Sequence, residues 1–80
     1  MITIQQAVIN VCRSYAPGQV VIARQIYRDT LDELWRNGYR GEPLQETVAR
    51  RYRDVDELCG MESLPSKGRF RKKTVAGGHV

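Results

Sequence analysis

The sequence predicts a mainly α-helical domain with a small β-hairpin, an α+β fold in which three helices precede paired strands. Three observations predict it. Apolar residues return every three or four positions in three separate segments, the helical period that collects them on one buried face. Gly60 and the turn chemistry of Pro65-Ser66-Lys67-Gly68 then interrupt the period, and the stretches flanking that turn can alternate as strands. The length, 80 residues, suits one domain with a core of roughly fifteen to twenty side chains, which oligomerisation can supplement.

Thr3 and Gln6 have the spacing of a capping box, in which a hydroxyl and an amide satisfy donors left open at a helix start. Ile4, Ala7, Val8, Val11, Cys12 and Tyr15 form the buried stripe of this first helix, with Ile9 as the apolar outlier. Pro17-Gly18 ends it, and Gln19-Val20-Val21 is β-prone, which leaves room for a short strand near 19–21. The helical period resumes at Ile22. Ala23, Ile26, Tyr27, Thr30, Leu31, Leu34 and Trp35 make its stripe as far as Arg36 or Asn37, and Gly38 is placed to close the helix in the left-handed conformation. On the opposite face Arg28 and Asp32, and Asp32 and Arg36, are spaced as i,i+4 ion pairs.

Pro43 suits the first position of a third helix over about 43–59, since its missing N–H is not needed there. Leu44, Val48, Tyr52, Val55, Leu58 and Cys59 would be its buried stripe, with Glu46, Ala49, Arg50, Arg53 and Glu57 pointing away. In the hairpin, over about 61–75, Phe70 shares a face with Lys72 and Thr74, while Arg69, Arg71 and Lys73 share the other. A single domain is thus expected over 1–75, and residues 76–80, with nothing to pack, as a disordered tail.

Hydrophobic residues at 41% and charged residues at 28% exclude a wholly disordered chain. No apolar run reaches the roughly 18 to 20 residues of a membrane span, and Met-Ile-Thr-Ile lacks the basic start of a signal peptide, so a cytoplasmic setting is expected. Cys12 and Cys59 read as buried thiols. Two separated cysteines and His79 do not supply four zinc ligands, and Asp29, Asp32 and Glu33 sit among arginines without a completing ligand, so no metal or cofactor is expected. Trp35, Tyr27 and Tyr52 fall within the stripes and read as core, whereas Tyr39 and Phe70 are the aromatics expected nearest the surface. Neither a nucleophile with its base, nor an acid dyad, nor a phosphate-cradling glycine loop is present, which argues against an enzyme.

Charge is distributed unevenly. Residues 1–60 carry eight Arg against eight Asp and Glu, while residues 61–80 carry five Lys and Arg against Glu62, so the whole +4 lies in the last quarter of the chain. Lys67-Gly-Arg-Phe-Arg-Lys-Lys73 holds all five of those cations. Edge strands use lysines to prevent association, but five cations in seven residues exceed that need and suit a polyanion such as nucleic acid.

Three helices followed by a basic hairpin, with a short strand after the first helix, is an order that resembles the winged helix-turn-helix domain. Residues 47–61, Thr-Val-Ala-Arg-Arg-Tyr-Arg-Asp-Val-Asp-Glu-Leu-Cys-Gly-Met, look like the third helix of that family leading into its wing. Gln19-Val-Val-Ile-Ala-Arg-Gln-Ile26 is similar to its short strand and second-helix entry. The resemblance implies a small DNA-binding protein, a transcriptional regulator, associated with the nucleoid. Its third helix would enter the major groove of double-stranded DNA and its wing would lie on the phosphate backbone. The positions that match those roles are Gln45, Glu46, Thr47, Ala49, Arg50, Arg51 and Arg53 on the helix and Lys67, Arg69, Arg71 and Lys73 on the wing. Arg50 and Arg53 have the chemistry to read guanine, and Glu46 to accept from a cytosine amino group; Arg51 is expected on a phosphate or an acidic neighbour.

Two features point the other way. The connection at about 37–43 is longer than a tight helix-turn-helix turn, and Glu42 and Glu46 stand where a helix start would otherwise bind a phosphate. Arg50 and Arg53 can also be an ordinary charged face paired with Asp54 and Glu57. The alternative is a winged-helix protein-interaction module, of phage or mobile-element type, that binds and inhibits or redirects a host protein or nucleoprotein complex. A homodimer, through the first helix near Ile9 or through the exposed edge of the wing, is compatible with either.

Overall fold

The computed structural model describes residues 2–51 and 60–73. The expected stripe residues Tyr52, Val55, Leu58 and Cys59, the expected groove residue Arg53, and the expected tail with His79 lie outside them. Helix α1 (Ile4–Ser14) is followed by strand β1 (Val20–Ile22), helix α2 (Ala23–Arg36), a third helix α3 helical over 45–51, and strands β2 (Met61–Ser63) and β3 (Arg69–Lys72). The fold is α+β: the described residues form three helices on a three-stranded antiparallel sheet, a winged-helix-like arrangement.

Thr3 caps α1 as its spacing requires, its hydroxyl accepting from the Gln6 N–H at 3.0 Å. The reciprocal half of the capping box does not form. Gln6 donates its side-chain amide to Asn10 Oδ1 at 2.9 Å instead, one turn along the helix. Strand β1 runs one residue later than 19–21: the Gln19 carbonyl accepts from the Lys72 N–H at 2.8 Å, but the Gln19 N–H turns back to the Ala16 carbonyl at 3.0 Å, and the residue pairs with β3 run from Val20 to Ile22. Ile22 is therefore the cap of α2 and not its first residue. At the other end of α2 the Gly38 and Tyr39 N–H groups donate to the Trp35 and Leu34 carbonyls at 3.0 and 2.9 Å. This is the Schellman arrangement, and Gly38 supplies its left-handed residue with φ 86°.

Every element contributes to one core. Val8, Val11, Cys12 and Tyr15 from α1 meet Val21, Ile26, Val48 and Met61, with Ile4, Ile9, Tyr27 and Phe70 packed against them. Ile9, off the main stripe of α1, is thus half-buried. Polar contacts fix α1 on α2: Tyr15 donates its hydroxyl to Asp29 at 2.7 Å, and Asn10 donates to Glu33 at 3.0 Å. Thr30 is fully buried and its hydroxyl has no partner among the described residues.

Several expectations for α2 and α3 are corrected. The Arg28–Asp32 and Asp32–Arg36 pairs do not form. Arg36 reaches Glu33 at 3.1 Å instead, one turn back at i,i+3. Trp35 is not core but 45% exposed, held at the surface by its Nε1–H donating to the Gly41 carbonyl at 2.8 Å. Pro43 precedes α3 instead of opening it. The Val48 N–H donates to the Leu44 carbonyl at 3.2 Å, which makes Leu44 the capping residue. Leu44 consequently leaves the buried stripe and is 70% exposed.

Candidate nucleic-acid interface

The wing is the hairpin β2–β3, and its geometry follows from where β3 sits. In the order β1-β3-β2 it is the central strand, paired through Val20↔Arg71, Val21↔Phe70 and Ile22↔Arg69 on one side and Met61↔Lys72, Glu62↔Arg71 and Ser63↔Phe70 on the other. Alternation then sorts its side chains. Phe70 faces inward onto the core with Val21 beside it, and Arg69 and Arg71 face out.

The turn is closed by the Leu64 N–H donating to the Arg69 carbonyl at 2.9 Å, with Gly68 at φ 76°. Gly68 also accepts from the Ala23 N–H at 2.8 Å, so the end of the wing is tied to the first turn of α2. The base is closed by the Lys73 N–H donating to the Gly60 carbonyl at 2.6 Å.

The five cations of 67–73 do not share one role. Lys72 faces inward, and its Nζ donates to the Cys12 carbonyl at 2.8 Å near the C-terminus of α1, where a cation is favoured by the helix dipole. Arg71 is exposed, but its Nε lies 3.0 Å from Glu62 Oε2, its cross-strand neighbour. Lys67, Arg69 and Lys73 are exposed and make no ion pair among the described residues. The sequence signal that distinguishes these roles is the alternation about Phe70, which marks Lys72 as inward; the Glu62–Arg71 pair depends on register.

Helix α3 is anchored by Val48, which is fully buried. Gln45, Glu46, Arg50 and Arg51 are exposed, while Thr47 and Ala49 are half-buried, so Ala49 does not lie on the outermost face as expected. Arg51, expected on a phosphate or an acidic neighbour, makes no ion pair among the described residues. Two aromatic side chains of α2 hold the segment that leads into α3, since Tyr27 donates its hydroxyl to the Pro43 carbonyl at 2.7 Å and Trp35 donates to Gly41. They set the approach angle of α3 from outside its own sequence.

Leu44 is the residue whose position the helical pattern misplaces. A leucine at a helix cap supplies no acceptor for the open N–H groups, so the site gives up stability that Ser or Asp would provide. Leu44→Ser is expected to raise stability by about 0.5 to 1 kcal/mol, because little apolar burial is lost at 70% exposure. A rise in melting temperature confirms the cap; a fall would mean that Leu44 packs in solution.

Among the described residues no group of three His, Cys, Asp or Glu is placed to hold a metal ion. Asp29 and Glu33 act instead as acceptors, Asp29 for Tyr15 and Gln25, and Glu33 for Asn10, Asn37 and Arg36. No helix is long and apolar enough, among the described residues, to cross a membrane. Comparison with protein-family models, curated proteins and solved structures returns no match. The chemistry of the two exposed surfaces therefore carries the functional reading.

Proposed function

We propose that this chain is a small double-stranded DNA-binding protein acting as a transcriptional regulator in the cytoplasm, with α3 in the major groove and the wing on the phosphate backbone. The observation that carries the reading is the wing's built polarity. Phe70 anchors the central strand on the core while Lys67, Arg69 and Lys73 remain exposed and without ion pairs among the described residues. Cations held this way attract phosphates and set register without reading sequence. Sequence choice falls to the exposed Gln45, Glu46 and Arg50 of α3. Membership of the winged helix-turn-helix superfamily, and a non-enzymatic role, belong to the same proposal.

A second reading keeps the fold but changes the partner. Leu44 at 70% exposure, flanked by the exposed Glu42 and Glu46, is an apolar and acidic start to α3 that suits a protein surface. A gel-shift and site-selection assay at two salt concentrations separates the two. DNA binding that weakens steeply with salt, and whose preferred sequence changes in Arg50→Ala, supports the regulator. No duplex retained at low salt, with one stoichiometric protein captured after nuclease treatment, supports the interaction module.

A further inference from the structure

We infer that two copies of this chain pair edge to edge through β1, joining their sheets into one six-stranded sheet. Among the described residues the strand order leaves β1 at an edge. The Lys72 N–H donates to the Gln19 carbonyl and the Ala23 N–H to the Gly68 carbonyl, each at 2.8 Å. In an antiparallel ladder alternate residues point their backbone groups at the same neighbour, so Gln19, Val21 and Ala23 face β3 and Val20 and Ile22 face the open side. Those two residues are also exposed in their side chains, Val20 by 52% and Ile22 by 47%. One edge therefore offers open backbone groups and uncovered apolar surface together.

The devices that keep edge strands apart are missing from it. Gln19-Val20-Val21-Ile22 contains no charge and no proline. The outward cations Arg69 and Arg71 stand one strand further in, and the opposite edge, β2, carries Glu62. A neutral apolar edge fits a partner of the same kind, and a second copy supplies one. With a two-fold axis at Val21, Val20 of each copy lies opposite Ile22 of the other, and each Ile22 N–H reaches the other copy's Val20 carbonyl. The Ile22 carbonyl is already committed to starting α2. Such a contact is self-complementary and needs no second surface.

Electrostatics allows it. The Arg69 and Arg71 rows of the two copies would stand three strand spacings apart, about 14 Å at about 4.8 Å per strand, beyond the Debye length of about 8 Å at physiological salt. An acidic extended segment would instead set its charges against Val20 and Ile22, with the arginines a strand away. Pairing would add apolar burial to a chain near the lower size limit for a self-sufficient core.

The test is sedimentation equilibrium of the full chain over rising concentration, with amide hydrogen exchange read at Ile22. The mass is expected to rise from 9.2 kDa toward twice that value, with exchange at the Ile22 amide slowing as it does. Val20→Glu places a carboxylate beside Arg71 of its own copy, so it is expected to keep its helical circular dichroism and remain monomeric. Should it fail to fold, the Val20→Thr/Ile22→Thr pair keeps strand propensity and is expected to weaken association. A mass that stays at 9.2 kDa to millimolar concentration, a dimer with fast exchange at the Ile22 amide, or a monomer that captures an acidic peptide on this edge would each overturn the inference.

Discussion

Ile26→Ala is expected to lower stability by about 2 to 5 kcal/mol, the range for removing buried aliphatic carbons that neighbours cannot replace. Ile26 is 1% exposed and belongs to the cluster in which α1, β1, α3 and β2 all meet. Four elements on several sides leave little freedom for collapse into the vacated space. A chain of 80 residues at about 0.05 to 0.15 kcal/mol per residue has a total stability of only about 4 to 12 kcal/mol. The loss is therefore a large part of the whole. Because each kcal/mol shifts the midpoint by about 4 to 8 °C in a domain of this size, the melting temperature should fall by at least about 8 °C. Ile26→Val, at about 0.5 to 1.5 kcal/mol, sets the conservative limit of the same series. The proposed DNA binding should decline with the folded fraction, since Val48 docks α3 into this cluster. A melting shift below about 4 °C would show that the cluster repacks.

The residues of that cluster are legible in the sequence, and the reason is periodicity. Val8, Val11, Cys12 and Tyr15 on α1 and Ile26 and Leu34 on α2 lie where a period of 3.6 places them, and all are buried. Gly38 closes α2 in the left-handed conformation for a reason equally local, the absence of a Cβ. Where tertiary geometry decides, pattern reading fails. Trp35 fits the α2 stripe by angle, but the stripe outlasts the surface it packs on, and the indole turns to the Gly41 carbonyl. Leu44 fits the α3 stripe only if the helix starts at Pro43; a start at 45 moves it to the cap and into solvent. The ladder of Arg28, Asp32 and Arg36 has correct spacing, yet Arg36 chooses Glu33. Exposed pairs of this kind are worth at most about 1 kcal/mol, too little for spacing alone to dictate.

The candidate interface divides along the same line. Its inward and outward sides are legible because a strand alternates about Phe70. The inequality of its cations is not, since the Glu62–Arg71 pair depends on a register set by the turn and the Lys72 bond depends on α1 ending beneath the wing. The wing thus combines structural and exposed cations within one short run.

Replacing Lys67, Arg69 and Lys73 together by Ala is expected to remove most of the wing's contribution to the proposed DNA binding. Each phosphate that is no longer neutralised should reduce the slope of log affinity against log salt by about 0.9, so the slope of the triple variant should fall by up to about 2.7. The melting temperature should hardly move, because these side chains are exposed and make no ion pair among the described residues. Lys72→Met should do the reverse. It removes a charge-assisted bond to the Cys12 carbonyl, lowering stability by about 1 to 2 kcal/mol, with the salt slope kept. Arg71→Ala should fall between them, since its guanidinium is partly engaged by Glu62 and each phosphate it meets must compete with that carboxylate. Glu62→Ala frees Arg71 and should steepen the slope. Binding and melting measured on the same four variants therefore decide between a wing built to contact phosphates and a merely solvated edge. A set in which all four show the same reduction in slope, or none shows any, would contradict the division of roles drawn from the alternation about Phe70.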